Sequence, residues 1–416
     1  MKVLPFLRIP LEVRVPQREK TCVALLAAAT VLLFCGGFCV YTWRAYELIN
    51  SCEDCQPDHV FVETPDSTGS PSYPLYAMRT QDAPAAITQL EDLSAAPYDS
   101  SLETLLPAAF NFVLQKYSVV PAADVKVVVI IAYYRSGSTF FGELLSSAPR
   151  TFFHFEPLMM FTVSGGIRPG RQRHAFQLLD ALVRCRFHPL YTVWLENNPY
   201  YKYNHFLADI CEGGQSCSSP SHLSALCSRA GTQVFKFTRL RTSQVESWIQ
   251  QNQDIARTVR VVHLVRDPRA IFSSRVGLRW CTDYEYCGSA AALCDQMRSD
   301  LDAFGELTHR MHKERTYQIR FEDLAADPVN ATMRLFEWLG LDFAPSVRKY
   351  LEEHTVATAA DIRNAHSTKR NTRLVAHSWK RKLSTKTIRQ IEATCGDVLQ
   401  RLGYEHSATT VDAAKA

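Results

Sequence analysis

The sequence carries almost no excess charge: 46 Lys and Arg against 42 Asp and Glu leave +4 over 416 residues. So slight a balance does not mark a nucleic-acid binder, although local basic patches stay open. Zinc-type spacing is scarce too. No paired CxxC or HxxxH occurs, and Cys52 and Cys55 form one lone CxxC. A metal is therefore the weaker reading of the 13 cysteines. A phosphate-loop lysine is also missing: Gly137 is followed by Ser138 and Thr139, where a Walker A motif requires Gly-Lys-Ser/Thr. A Walker-type nucleotide site is excluded at this loop.

Charge is absent from one long stretch, residues 22–43, CVALLAAATVLLFCGGFCVYTW, which is long enough to cross a bilayer of about 20 residues' span. Lys2, Arg8, Arg14, Arg18 and Lys20 precede it, against Glu12 and Glu19. The positive-inside bias predicts a cytosolic tail at 1–21, a signal anchor at 22–43 and the rest in the lumen or outside. A cleaved signal peptide is the rival; the run is long for one and no small-x-small site ends it. Ten cysteines beyond the anchor, Cys52 to Cys395, suit disulfides in an oxidising compartment, with connectivity left open. Residues 44–118 are rich in Pro, Ser, Thr, Asp and Ala and read as a stem, with a short helix near 102–115. The folded domain is expected over 119–406, followed by a tail at 407–416.

The chain is organised around residues 126–145, KVVVIIAYYRSGSTFFGELL. Val127 to Ala132 form a β-branched apolar run, the mark of a strand buried on both faces. Tyr133 to Thr139 make a turn of small and hydroxyl residues, and a helical pattern follows from Phe140. Strand, small-residue loop, helix aims backbone N–H groups at a phosphate. Arg135 adds a fork-shaped cation, and Ser136, Ser138 and Thr139 add hydroxyls. The bland alternative is an ordinary strand-to-helix turn.

Other segments repeat that theme. Thr151 to Phe155 is a short aromatic strand ending at Glu156-Pro157, which leaves Glu156 near the ligand-binding edge of an open α/β sheet. Thr232 to Phe237 alternates as a strand, with Lys236, Arg239 and Arg241 at or beyond its end. Val259 to Val265 is a further strand. Asp267 is placed to cap the helix that Pro268 opens, so that Arg266 and Ser274 can converge on one anion. The plainer reading there is a capped helix start. Residues 165–230 look irregular and show no repeat. Thr316 to Ile319 reads as a strand, and Asp327 as a cap for a helix over 328–339. Asn330-Ala331-Thr332 is the one N-glycosylation sequon. Arg370, Arg373, Lys380, Arg381 and Lys382 form a late basic group.

YYRSGSTFFGELL, FHFEPL, LVRDPRAIFSSR and RFEDLAADP, in that order behind an N-terminal apolar run, resemble the Golgi carbohydrate 6-O-sulfotransferases over roughly residues 125–405. The resemblance implies an α/β fold, a P-loop-like parallel sheet flanked by helices and preceded by one N-terminal transmembrane helix. It implies sulfuryl transfer from 3′-phosphoadenosine 5′-phosphosulfate, without a metal, to the 6-hydroxyl of a hexose or N-acetylhexosamine in keratan or chondroitin sulfate or a related glycan. Carried over by motif, Arg135, Ser136, Gly137, Ser138, Thr139 and Phe140 hold the 5′-phosphosulfate, Arg266 and Ser274 the 3′-phosphate, and Glu156 is the base. Partners implied are a glycan acceptor and the Golgi membrane, with the catalytic domain luminal and no nucleic acid; a homo-oligomer is compatible with it. Departures are Thr139 where relatives often have Ser, and Trp379-Lys380 where they often have Trp-Arg. Two other classes compete: an ATP-dependent kinase, which needs ATP and Mg²⁺, and a non-catalytic Golgi glycan-binding protein.

Overall fold

The computed structural model describes residues 106 and 108–407, apart from 164, 198, 212–218, 283, 312 and 364–366. The expected anchor at 22–43 and most of the stem lie outside the described residues. Among the described residues, no helix is long and apolar enough to cross a membrane.

Among the described residues the strands are β1 (Lys126–Ile131), β2 (Thr151–Phe155), β3 (Thr162–Val163), β4 (Gly166–Ile167), β5 (Thr232–Phe237), β6 (Val259–Val265) and β7 (Thr316–Arg320). β3 and β4 form a small antiparallel hairpin. The other five make one sheet in the order β2-β5-β1-β6-β7, and every pairing in it is parallel. Helices used below are α1 (Ala108–Leu114), α2 (Ser138–Ser146), α3 (Gln172–Val183), α4 (Thr242–Gln251) and α5 (Pro268–Arg275). They continue with α6 (Ala290–Met311), α7 (Phe321–Ala326), α8 (Pro328–Leu339), α9 (Thr372–Ala376) and α10 (Thr385–Arg401).

The β-branched run of β1 explains the layers. Val127, Val129 and Ile131 point into one core, with Phe176, Leu179 and Leu182 of α3 and Val245 and Trp248 of α4. Val128 and Ile130 point into the other, with Phe141, Leu144 and Leu145 of α2 and Leu335 and Phe336 of α8. Alternation thus turns one continuous apolar run into two helix-covered faces. From β1 the chain fills one side of the sheet (β2, then β5) and afterwards the other (β6, then β7). At such a reversal the crossovers part company, and the carboxyl ends of the central strands border a crevice.

Two expectations change. Leu106, Phe110 and Leu114 are buried in the same core as β1, so the folded body begins ahead of residue 119; the apolar stripe of α1 outweighs the Pro- and Ala-rich composition around it. Residues 165–230, read as irregular, contain α3 and further helices at Pro189–Asn197, His205–Cys211 and Pro220–Cys227. The 3.6-residue period of Phe176, Leu179 and Leu182 was obscured by dense aromatics and cysteines. Among the described residues, disulfides join Cys185 to Cys227, Cys281 to Cys287 and Cys294 to Cys395.

Cys294–Cys395 joins α6 to α10 across 101 residues of sequence, a closure long enough to restrict the unfolded chain strongly. Replacing both cysteines by serine should lower the melting temperature of the full chain by about 5–10 °C. Differential scanning calorimetry checks this, and an unchanged melting temperature would refute it.

Candidate functional site

The loop after β1 is closed by a reciprocal pair: the Ser136 N–H donates to the Tyr133 carbonyl at 3.0 Å, and the Tyr133 N–H donates to Ser136 Oγ at 3.3 Å. Arg135 and Gly137 take left-handed backbone conformations, with φ of 68° and 90°. At Gly137 no side chain would fit, because a Cβ there would lie 2.5 Å from the Phe321 ring. Gly137 caps α2, so the first N–H groups of that helix face the carboxyl edge of the sheet. Ser136 and Ser138 are buried. Phe140 is buried in the core beside Tyr350, which leaves only its main chain for a ligand.

Arg135, Arg266 and Ser274 meet at this loop. Arg135 Nε donates to Ser274 Oγ at 3.0 Å. Arg266 Nη1 donates to the Arg135 carbonyl at 3.0 Å, and Nη2 to the Val375 carbonyl of α9 at 2.9 Å. Below, the Arg266 guanidinium lies 4.6 Å from the Phe321 ring centroid. Asp267 caps α5 through the Arg269 N–H at 2.8 Å. Arg266 and Ser274 are thus connected through Arg135 rather than facing each other directly. Burial, then the charges of Arg266 and Arg370, lower the Arg135 pKa to about 10. Cations crowded together in partial burial repel one another, and a bound anion relieves both costs. Of the late basic group, Arg370 contributes to this field, whereas Arg373, Lys380, Arg381 and Lys382 are exposed.

A second cluster sits at the end of β5. Glu156, with φ 45°, is 3% exposed. Lys236 Nζ lies 3.1 Å from Oε1, and Arg239 Nη1 lies 3.2 Å from Oε2. The Thr238 N–H donates to Oε2 at 3.3 Å and its hydroxyl to Oε1. Burial alone would raise the Glu156 pKa, but Lys236, Arg239 and Thr238 outweigh it and hold the carboxyl below its usual range. Four donors occupy the lone pairs of a carboxylate. Such a group stays ionised but is a poor proton acceptor at neutral pH. Tyr134 links the clusters, since its ring lies 4.6 Å from the Arg239 guanidinium carbon.

The RFEDL segment, which runs from the end of β7 into α7, is the floor of the loop. Phe321 supports Gly137 and Arg266. Buried Glu322 accepts from the Asp267 N–H at 3.1 Å and the Tyr404 hydroxyl at 2.7 Å. Nothing in the spacing of Phe321 signals this, because the contact is made between the segments that follow β1, β6 and β7. His154, left without a role, is buried and stacks on Phe235 at 4.1 Å.

A model of the sulfotransferase family matches residues 128–345. Mouse carbohydrate sulfotransferase 4 is 25% identical over 323 residues, covering 67% of this chain and 81% of that protein. Human carbohydrate sulfotransferase 2 is 24% identical over 354 residues, covering 67% of this chain and 65% of that protein. Among solved structures, the sulfotransferase domain of the Synechococcus PCC 7002 olefin synthase aligns with TM-score 0.39 and 18% identity, covering 70% of this chain and 98% of that domain.

Glu156→Gln removes the buried counter-charge of Lys236 and Arg239 and should cost about 3–5 kcal/mol of stability. Because the folded pKa is depressed, the contribution of Glu156 is complete above the unfolded glutamate pKa. It is lost as pH falls through the lower folded value. Chemical denaturation across acidic pH should therefore show a shallower loss for the variant than for the unmodified chain. Parallel curves would show that Glu156 does not carry this stability.

Proposed function

Since the chain belongs to the sulfotransferase family, we propose that it transfers a sulfuryl group from 3′-phosphoadenosine 5′-phosphosulfate to the 6-hydroxyl of a hexose or N-acetylhexosamine in a glycan. The observation that carries this reading is the meeting of Arg135, Ser274 and Arg266 on a lysine-free phosphate loop. The carbohydrate sulfotransferase relatives support a sugar as acceptor.

The loop fits a phosphorylated nucleotide. Arg266 Nε is buried without a hydrogen-bond partner, a donor left open for an anion. In this reading Arg135, the Ser136 hydroxyl and the N–H groups of residues 137–140 hold the 5′-phosphosulfate, while Arg266 and Ser274 hold the 3′-phosphate. The bound donor supplies an electrophilic sulfur and a phosphate leaving group. Arg135 balances charge on that leaving group, work that is chiefly positioning and electrostatics. Lys236 and Arg239 supply positive charge at the neighbouring strand end. Glu156, expected as the base, is better suited to positioning those two cations, for all its lone pairs are engaged.

Transfer of radiolabelled sulfate from the donor to desulfated keratan sulfate and desulfated chondroitin tests the assignment. Arg135→Ala and Arg266→Ala should each lower kcat/KM at least about 100-fold, and chelator should leave the unmodified rate unchanged. Phosphate transfer from ATP requiring Mg²⁺ would replace the reading with a kinase. Glycan binding with no transfer would make the protein a lectin-like binder. With Glu156→Gln, weaker donor binding together with slower turnover fits positioning; unchanged donor binding with turnover abolished restores Glu156 as the base.

We also assign the chain to the Golgi membrane as a single-pass protein with residues 44–416 luminal. The uncharged run at 22–43 with its basic flank supports this, as do the disulfides of the folded body. In sealed Golgi vesicles, external protease should trim only residues 1–21; digestion of the folded body would reverse the orientation.

A further inference from the structure

The loop bounded by the Cys281–Cys287 disulfide is not explained by donor binding. It carries Tyr284, which is 46% exposed, and half-buried Tyr286. Their ring centroids lie 5.7 Å apart, and Tyr286 lies 6.4 Å from Tyr134 of the donor loop. The three rings form a continuous row from the surface to the residue before Arg135. Tyr286 packs so closely over the hairpin that a Cβ on Gly165 would come within 2.5 Å of its ring.

The row is held in place by a buried cation. Arg275 is 1% exposed. Its Nε donates to the Tyr134 carbonyl at 3.1 Å, and its Nη1 to the Cys287 carbonyl at 3.3 Å. One guanidinium therefore ties the disulfide loop to the donor loop. Within the disulfide loop, the Cys287 and Gly288 N–H groups donate to the Tyr284 carbonyl at 3.0 and 2.8 Å. A covalent link, a buried arginine and backbone bonds thus fix the position of exposed Tyr284 and half-buried Tyr286.

We propose that Tyr284 and Tyr286 form the platform on which the acceptor glycan stacks, delivering its sugar hydroxyl toward Arg135. A pyranose ring presents a face of C–H groups that packs on an aromatic face, while its hydroxyls stay at the rim. Tyrosine offers that face at little conformational cost and adds a polar tip. The inference rests on the glycan reading above and names the surface that serves it. Arg275 is a positioning residue in this arrangement, setting the platform's distance from the donor loop.

Steady-state sulfate transfer by the full chain, with acceptor concentration varied over desulfated keratan sulfate and desulfated chondroitin, tests it. Tyr284→Ala and Tyr286→Ala should each raise the acceptor KM about tenfold, with affinity for adenosine 3′,5′-bisphosphate unchanged. Tyr286→Phe should retain the KM, because the ring face is kept. An unchanged acceptor KM in both alanine variants overturns the platform while leaving the transferase reading standing. A parallel loss of nucleotide affinity also overturns it, because the tyrosines would then serve the donor loop. No transfer by the unmodified chain to either glycan removes the transferase reading and the platform with it.

Discussion

Arg266 is a buried cation whose donors hold main-chain oxygens on two separate segments, the Arg135 carbonyl of the donor loop and the Val375 carbonyl of α9. Its position depends on the end of β6, where the parallel sheet stops and the helix capped by Asp267 begins. Phe321, from the start of α7 after β7, closes the stack beneath it. Three strand ends, those of β1, β6 and β7, are thus brought to one point by a single side chain. Loops at the ends of parallel strands have no ladder to hold them, and this guanidinium supplies the missing restraint.

The electrostatics follow from that arrangement. Burial lowers the pKa of both Arg135 and Arg266, and Arg135 experiences Arg266 and Arg370 as further positive charges. The neighbouring strand end handles the same difficulty in the opposite way. There Lys236 and Arg239 both pair with the Glu156 carboxylate, which offsets one of the two positive charges and engages the facing donors of both. One cluster is therefore poised for an anion and the other is already satisfied. That contrast separates the donor loop, which gains most from a ligand, from the Glu156 cluster, whose order does not depend on one.

Much of this was legible in the chain. β2, β5 and β6 begin and end where the apolar and alternating patterns place them, and the Asp267-Pro268 and Asp327-Pro328 pairs mark helix starts that are realised. These features are local: side-chain period, caps and proline geometry are written within a few residues. What stayed hidden was lateral. The stacking of Phe321 under Arg266, the carbonyl contacts of Arg266 and the linking of Ser274 to Arg135 all join residues more than fifty positions apart. The full occupation of Glu156 depends on Lys236, Thr238 and Arg239, brought beside it by the β2–β5 pairing.

The absence of a loop lysine can be understood in the same terms. A Walker lysine is a mobile point charge that reaches a phosphate from the start of the helix. Here the cation precedes the glycine, on a residue with φ 68°, and its Nε is already directed by Ser274. A planar guanidinium so constrained loses little further freedom when it meets a tetrahedral oxyanion, and its paired N–H groups suit one bidentately. Its orientation is set in turn by Arg266 through the carbonyl of the same residue. The strained backbone at Arg135 is thus the point at which the sheet, the helix start and the charge cluster are mechanically joined.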